Sequence, residues 1–517
     1  MPQMLKSSGA MAAATMTSRL LGMVREMVYA AFMGNTWVAS AFSLAFMVPN
    51  LFRRLLGEGA LTAAFIPIFK EKEVADGETE MWRAANAVIS GLVVSAGVVT
   101  ILVVAAITLA LQLGRFEGET RLMLELLRLM FPYMLLACLA AVLIGMANAR
   151  GHFFVPALGA TLLNVVMIAS VLWLAPRLGK PLEVRIFGLA VGVLLAGLVQ
   201  AFFQLPSLHR EGYRYEWVSP WKDPTVREVA RKMLPGSIGV AAFQINVLVT
   251  QAFSFWFDPT TVATFNYSVR LMELPQGVFG ISLATYLLPT LSGLAAEKKF
   301  PEFKDTLRHG MGLLGFTNLF AAAISIALAV PIVRLLFERG LFGPDATHRV
   351  AISLSCLAPG LLMFSLNNIL ARAFYALKDI ATPMKISVLC LLLNLGFSCW
   401  LVPQYREAGL GVANTVTAGL NTGLLLYALR RKLKEFALGI LGRNLLVLAA
   451  AAGVSGVVAY GIARLWESHW GHGTLIQKMA LVFVPSLGAA LVYGVIAVIA
   501  GVPAAREMLG LLRRRLR

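Results

Sequence analysis

Long apolar runs alternate with short polar interruptions along almost the whole of this chain. Many of these runs reach 18 residues or more, enough to cross about 30 Å of hydrocarbon as a helix. Their approximate limits are 8–33, 37–56, 84–113, 122–147, 155–176, 184–206, 232–257, 262–292, 309–336, 350–376, 382–402, 408–430, 441–464 and 478–501. The pattern predicts an all-α polytopic membrane protein with about 14 transmembrane helices. A membrane β-barrel would instead show short segments of strict alternation, and these are absent.

The pattern also repeats. FPYMLLACLAAVLIGMANARGHFFVP (131–156) matches APGLLMFSLNNILARAFYALKDIATP (358–383), with Pro132 and Pro156 spaced as Pro359 and Pro383 are, at an offset of 227. More loosely, VASAFSLAFMVPN (38–50) matches VATFNYSVRLMELPQ (262–276), Pro49 standing against Pro275 and Pro67 against Pro289. A shift that spans an even number of helices preserves orientation. We therefore expect two six-helix lobes related by a parallel repeat, plus two extra C-terminal helices. The lobes are 1–206 and 232–430, joined by a cytoplasmic linker over 207–231, and 431–517 holds helices thirteen and fourteen and a basic tail. In transporters built this way the site lies between the halves near the midplane.

Composition agrees with a membrane protein: 58% of the 517 residues are hydrophobic and 14% charged. The net charge of +18 sits in short loops rather than on one face, which argues against nucleic acid. Alternate loops differ in Lys and Arg. The richer side holds Lys70, Lys72, the segments 210–232, 298–308 and 430–434, and the terminal RRRLR, so both termini are expected in the cytoplasm. The four cysteines fall in apolar runs, where cysteine behaves as a small hydrophobe. His469 and His472, in SHWGHG, do not make a metal-site spacing, and no metal is expected. No phosphate-loop motif is present. The first apolar stretch lacks the layout of a cleavable signal peptide.

Charges inside the apolar runs carry the candidate chemistry. TSRLLGMVRE (17–26) places Arg19, Arg25 and Glu26 in the first run. Two parses are open: 8–33 crosses the membrane, or 1–26 lies in the interface and 27–51 is the first span. The repeat favours the former, because it maps 8–33 onto the apolar run 233–257 and sets the break GNTW (34–37) opposite DPTT (258–261). Arg19 is then roughly 16 Å into the helix. A central arginine costs at least about 2.5–3.5 kcal/mol, so it should face a polar interior and have a partner. Arg53, Arg54 and Glu58 stand near the cytoplasmic end of the second run, and Arg270 and Glu273 inside the eighth. Arg270 and Glu273, three apart, also suit a self-neutralising pair on one helix face. Asn367, Asn368 and Arg372 suit flank or structural roles. The excess of arginine over acid predicts an anionic ligand, because the guanidinium fork binds phosphate bidentately and stays charged. A drug exporter for cations would favour acids, and no convergent nucleophile or acid/base set points to an enzyme.

TSRLLGMVRE, PNLFRRLLGEGALTAAFIPIF (49–69) and RLMELPQGVFGISLATYLLPTLS (270–292) together resemble the MurJ (MviN) lipid II flippases of the multidrug/oligosaccharidyl-lipid/polysaccharide exporter superfamily. The resemblance covers essentially the whole chain, and PNLFRRLLGEGAL is its most specific part. It implies alternating-access transfer of undecaprenyl-pyrophosphate-linked disaccharide-pentapeptide to the outer leaflet by a monomer without cofactor. A coupling ion or the membrane potential would drive the cycle. It implies essential arginines at Arg19, Arg25 and Arg270, with supporting roles for Ser18, Glu26, Arg53, Arg54, Glu58 and Glu273. It further implies a tail path between helices one and eight and along a groove formed by helices thirteen and fourteen. Rocking of the lobes would make prolines 49, 132, 235, 275 and 359 candidate bend points. Ser40 and Val269 stand where some members carry acids, which puts any coupling through those acids in doubt. The alternatives are a related exporter of another lipid-linked oligosaccharide or amphipathic drug, and a non-transporting scaffold for envelope assembly.

Overall fold

Every regular element among the described residues is helical. The computed structural model describes residues 2–55, 61–152, 154–221, 223–434 and 439–515. Among them nine helices are long and apolar enough to cross a membrane, or ten if one bent pair counts as a single span. The chain is thus an all-α polytopic membrane protein. Two of the nine, Ala64–Leu113 and Ala381–Leu433, run to about twice the length a bilayer requires, and each is broken inside.

Helices α1 (Pro2–Met33) and α2 (Trp37–Phe52) are separated at Gly34–Thr36, where the Thr36 hydroxyl caps α2 by accepting from the Ala39 amide at 3.3 Å. A span over 27–51 would need unbroken helix through this point. The helix has no boundary at 26/27 and runs on to Met33, so TSRLLGMVRE lies within α1. With Lys6, Arg19, Arg25 and Glu26 along it, α1 is not among the nine helices.

The chain divides into two compact units, Met1–Thr260 and Thr261–Arg517. In the first, α3 (Leu61–Leu113) turns at Gly77, whose φ of 87° is strained for any L side chain. Then come α4 (Gly118–Met130), α5 (Tyr133–Ala149) and α6 (Phe154–Ala169), the last running through a π-helical turn into α7 (Ala175–Leu178). α8 (Leu182–Phe202) and the short α9 (Leu205–Arg210) follow. α1 packs along α6, α2 on α4, α3 on α5, and α8 on both α5 and α6.

The expected linker is not loose chain. After α9 it lies along α3 as a strap. Tyr213 is buried against Trp82 with ring centroids 5.4 Å apart, the Asn86 amide donates to the Arg214 carbonyl at 2.9 Å, and the Ser90 and Tyr215 hydroxyls are bonded at 3.2 Å. α10 (Pro224–Phe257) then starts at Asp223, whose carboxylate accepts from the Thr225 amide, and brings Val229 into the core of α3 and α5. This packing groups α10 with the first unit, and the compact units part at Thr260.

The second unit comprises α11 (Thr261–Pro275), a π-helical stretch Gln276–Ile281, α12 (Ser282–Ala296), α13 (Phe300–Ala327) and α14 (Ala329–Leu336). α15 (Pro344–Leu357) and α16 (Gly360–Ala376) meet at 47°. α17 (Ala381–Leu433) doubles back at Arg406: the Asn394 amide reaches the Thr417 hydroxyl at 3.5 Å, which only antiparallel halves allow. α18 (Gly439–Trp470) packs on α13 and pairs with α19 (Leu475–Ile499), and α20 (Pro503–Arg515) ends the described chain.

The repeat is present in the backbone. The Phe131 amide bonds the Leu127 carbonyl, and the Ala358 amide bonds Leu354, each at 2.8 Å. Where the paired helices end, Gly151 bonds Asn148 and His152 bonds Ala147; Lys378 bonds Tyr375 and Asp379 bonds Phe374. Each bond recurs at the offset of the sequence repeat. Proline explains the upper break, since Pro132 and Pro359 lack the amide that would continue the ladder. Pro49 and Pro275 act alike, with π-helical geometry at 53–55 and 276–281 just beyond them.

Candidate functional site

The first unit holds a polar cluster on α1. Arg25 lies over the Tyr29 ring at 5.4 Å, donates through Nη1 to the Asn164 side-chain oxygen at 3.0 Å, and pairs through Nη2 with Glu26 at 2.5 Å. Both charged side chains are largely enclosed, 18% and 12% exposed. Asn164 in turn donates to the Ser18 carbonyl at 3.2 Å, so one buried amide bridges two turns of α1. α6 supplies this amide because α1 and α6 pack along their length, and its side-chain nitrogen faces Gly22. Ser18 acts here through its carbonyl.

Arg19 behaves differently. It is exposed, and its side chain makes no hydrogen bond or ion pair among the described residues. The partner expected for it belongs to Arg25 instead, and Glu26 pairs with Arg25. The reason is rotational: Arg19 lies on a different side of α1 from the face that α6 covers.

Beyond Pro49, Arg53 donates through Nε to the Asn50 side chain at 2.8 Å, and Arg54 reaches Gln244 of α10 at 3.4 Å. Both lie in the π-helical stretch 53–55, which rotates successive side chains away from the α-helical register. Glu58 lies outside the described residues. In the second unit Arg270 pairs with Glu273 on α11 at 2.8 Å, with the side chains 42% and 48% exposed. That pair is the helix-face pairing the sequence spacing suits, and both groups stay accessible. Ser40 and Val269 sit on α2 and α11; Ser40 is fully buried.

Asn164 and Gln244 escaped the sequence reading. Each was visible as an amide inside an apolar run, TLLNVVM and AAFQINVL, where an uncharged hydrogen-bonding group needs a partner.

An all-helical chain with an internal repeat and arginines within its helices is built as a membrane transporter. A solved structure described as the lipid II flippase MurJ in an inward closed conformation shares the fold, with a TM-score of 0.76 at 21% identity over 96% of this chain and 99% of that one. An inward-facing multidrug resistance MATE family transporter of the MOP superfamily shares it with a TM-score of 0.67 at 14% identity, over 83% and 98%. A family model described as lipid II flippase MurJ matches residues 29–481. A probable lipid II flippase MurJ of Vibrio cholerae is 34% identical over 90% of this chain and 89% of its own length. The lipid II flippase MurJ of Burkholderia cenocepacia is 32% identical over 81% and 82%. This chain belongs to the lipid II flippase MurJ family, and it is a transporter, not an enzyme.

Proposed function

We propose that this chain moves lipid II from the cytoplasmic to the periplasmic leaflet of a bacterial inner membrane by alternating access, and so supplies cell-wall synthesis. Arg25 and Arg19 of α1 and Arg270 of α11 receive the pyrophosphate. The observation that carries this reading is the contrast within α1: Arg25 is oriented by Asn164, Glu26 and Tyr29, while Arg19 stands accessible two turns away. An oriented guanidinium loses little freedom on binding an anion, and an accessible one adds charge. Glu273 keeps Arg270 neutralised until an anion displaces it. Arg53 and Arg54 support the neighbouring segment of α2. The chain works as a monomer, and both its termini lie in the cytoplasm, a placing of the termini supported by its loop charges. A coupling ion or the membrane potential, at about 2.3 kcal/mol per charge per 100 mV, resets the cycle.

The test is depletion of the native flippase in a bacterial host supplied with wild type, Arg19→Ala, Arg25→Ala or Arg270→Ala at matched membrane levels. Growth and outward lipid II exposure should fail in all three variants, most completely in Arg25→Ala. Full rescue of growth and lipid II exposure by all three would overturn the arginine site. Growth defects with undiminished lipid II exposure would favour export of another lipid-linked oligosaccharide.

A further inference from the structure

The foot of the second unit carries a cavity of about 220 Å³ that the transport site does not use. Three elements frame it: the first turns of α13, the first turns of α18, and the start of α20. Its wall is apolar, with Leu441, Leu445, Leu448 and Val502, and its edge is polar, with Arg308, His309 and Asn444. The Asn444 side chain makes no hydrogen bond among the described residues. The edge acids are taken: Asp305 pairs with Arg308, and Glu507 holds His309 at 3.2 Å. Exposed Arg443 and Arg506 stand within a residue or two of the lining positions on α18 and α20.

α20 has the sequence of a helix that lies in a membrane surface. Ala504 and Ala505 are buried with Leu448, Tyr493 and Ala497, while Met508 and Leu509, on the same apolar arc, are exposed. Beyond Glu507 the charged residues are all basic, Arg513, Arg514, Arg515 and Arg517. A basic amphipathic helix that follows a membrane span reads as an element seated among anionic headgroups.

We propose that this cavity binds an anionic glycerophospholipid of the cytoplasmic leaflet. Its phosphate sits at the Asn444 amide with Arg443 and Arg506 around it, and the first part of an acyl chain lies on the wall of Leu441, Leu445 and Leu448. A soluble phosphate ester would leave that apolar wall wet, and a neutral lipid would leave Arg443 and Arg506, exposed beside the lining positions, uncompensated. The lipid fastens α20 beneath α13 and α18.

The purified full chain in neutral detergent tests this, with mixed micelles of phosphatidylglycerol, of phosphatidylcholine, or with soluble glycerol phosphate. Phosphatidylglycerol should raise Tm by several degrees, and the other two should not. Asn444→Leu, which fills the polar edge, and Arg443→Gln/Arg506→Gln should each lose at least half of that rise. Arg464→Gln, at the opposite end of α18, should keep it. Lipid carried through purification should fall in parallel, with at least a twofold drop in the phosphatidylglycerol share for Asn444→Leu. An equal rise with phosphatidylcholine, or an undiminished rise and lipid share in both cavity variants, overturns the proposal. If a cavity variant does not fold, the other variant's lipid share decides.

Discussion

Two turns at the same place in the repeat are fastened by different chemistry. At residues 150–152 the backbone reverses through Gly151, with φ 86°; at 377–379 it does so through Lys378, with φ 58°. The amide bonds are the same. In the first unit Arg150 then reaches three carboxylates, Glu73 at 2.5 Å, Glu78 at 2.8 Å and Glu211 at 3.0 Å, and His152 meets Glu211 at 2.8 Å. Glu73 and Glu78 flank the Gly77 turn, and Glu211 opens the strap on α3. One guanidinium therefore ties three segments that are far apart in sequence. In the second unit the charges are reversed: Asp379 accepts from Lys432 at 2.5 Å and from the Thr382 amide at 3.0 Å. That pair ties one turn to one helix end. A repeated backbone fixes where a fastening can form, while side chains decide how many elements it gathers.

If Arg150 is the hub, its loss should produce the largest effect. The side chain is 15% exposed, so its pairs fall between exposed ones, worth at most about 1 kcal/mol, and buried ones, whose breakage costs about 3–5 kcal/mol. Arg150→Ala should cost about 2 kcal/mol, and hydrogen exchange at residues 213–218 of the strap should accelerate about 30-fold. Exchange in α16 should not change. An equal acceleration in both units would show that the two turns are not independent fastenings.

Asp379→Ala should have a smaller effect, about 1 kcal/mol, from one half-exposed pair and one helix-start cap. The Lys432 ammonium, with help from the Thr382 amide, holds the Asp379 carboxyl down to about 2. The sign follows from linkage. A carboxyl depressed in the folded state contributes stability above its ordinary pKa, about 3.9, and loses it as pH falls through its lowered value. The Tm gap between wild type and Asp379→Ala should thus be level from about pH 8 to 5 and narrow below about pH 4. Glu211, lowered first by His152 and then by Arg150, has the same sign. A gap that opens between pH 8 and 5 would mean that another group controls this turn.

Much of this comparison was legible in the chain. Proline spacing gave the offset at which the helix breaks and turns recur, because a missing amide acts locally whatever packs nearby. The arginines of α1 and α11 were legible for the same reason: charge in an apolar run is a property of the run. What packs beside a run is not. Nothing in TSRLLGMVRE says that α6 lies against the Arg25 side, so Asn164 was missed and a partner was assigned to Arg19. The strap was hidden too, since 207–231 is polar enough to read as a cytoplasmic linker, and only the burial of Tyr213 and Val229 reveals it.

The smallest effects should come from the two turn residues, and they sharpen the comparison most because nothing else changes. A Cβ on Gly151 would meet no atom within 4 Å, so Gly151→Ala adds backbone strain alone, about 0.5–1 kcal/mol. Lys378 already bears that strain. Lys378→Gly removes it at the cost of a looser unfolded chain, and the difference should be a gain of at most about 0.5 kcal/mol. Thermal unfolding of the two variants should therefore move in opposite directions, with the glycine loss the larger. Were Lys378→Gly to destabilise instead, the lysine side chain would be holding the second turn in a way its backbone does not require, and the two turns would differ in more than their ion pairs.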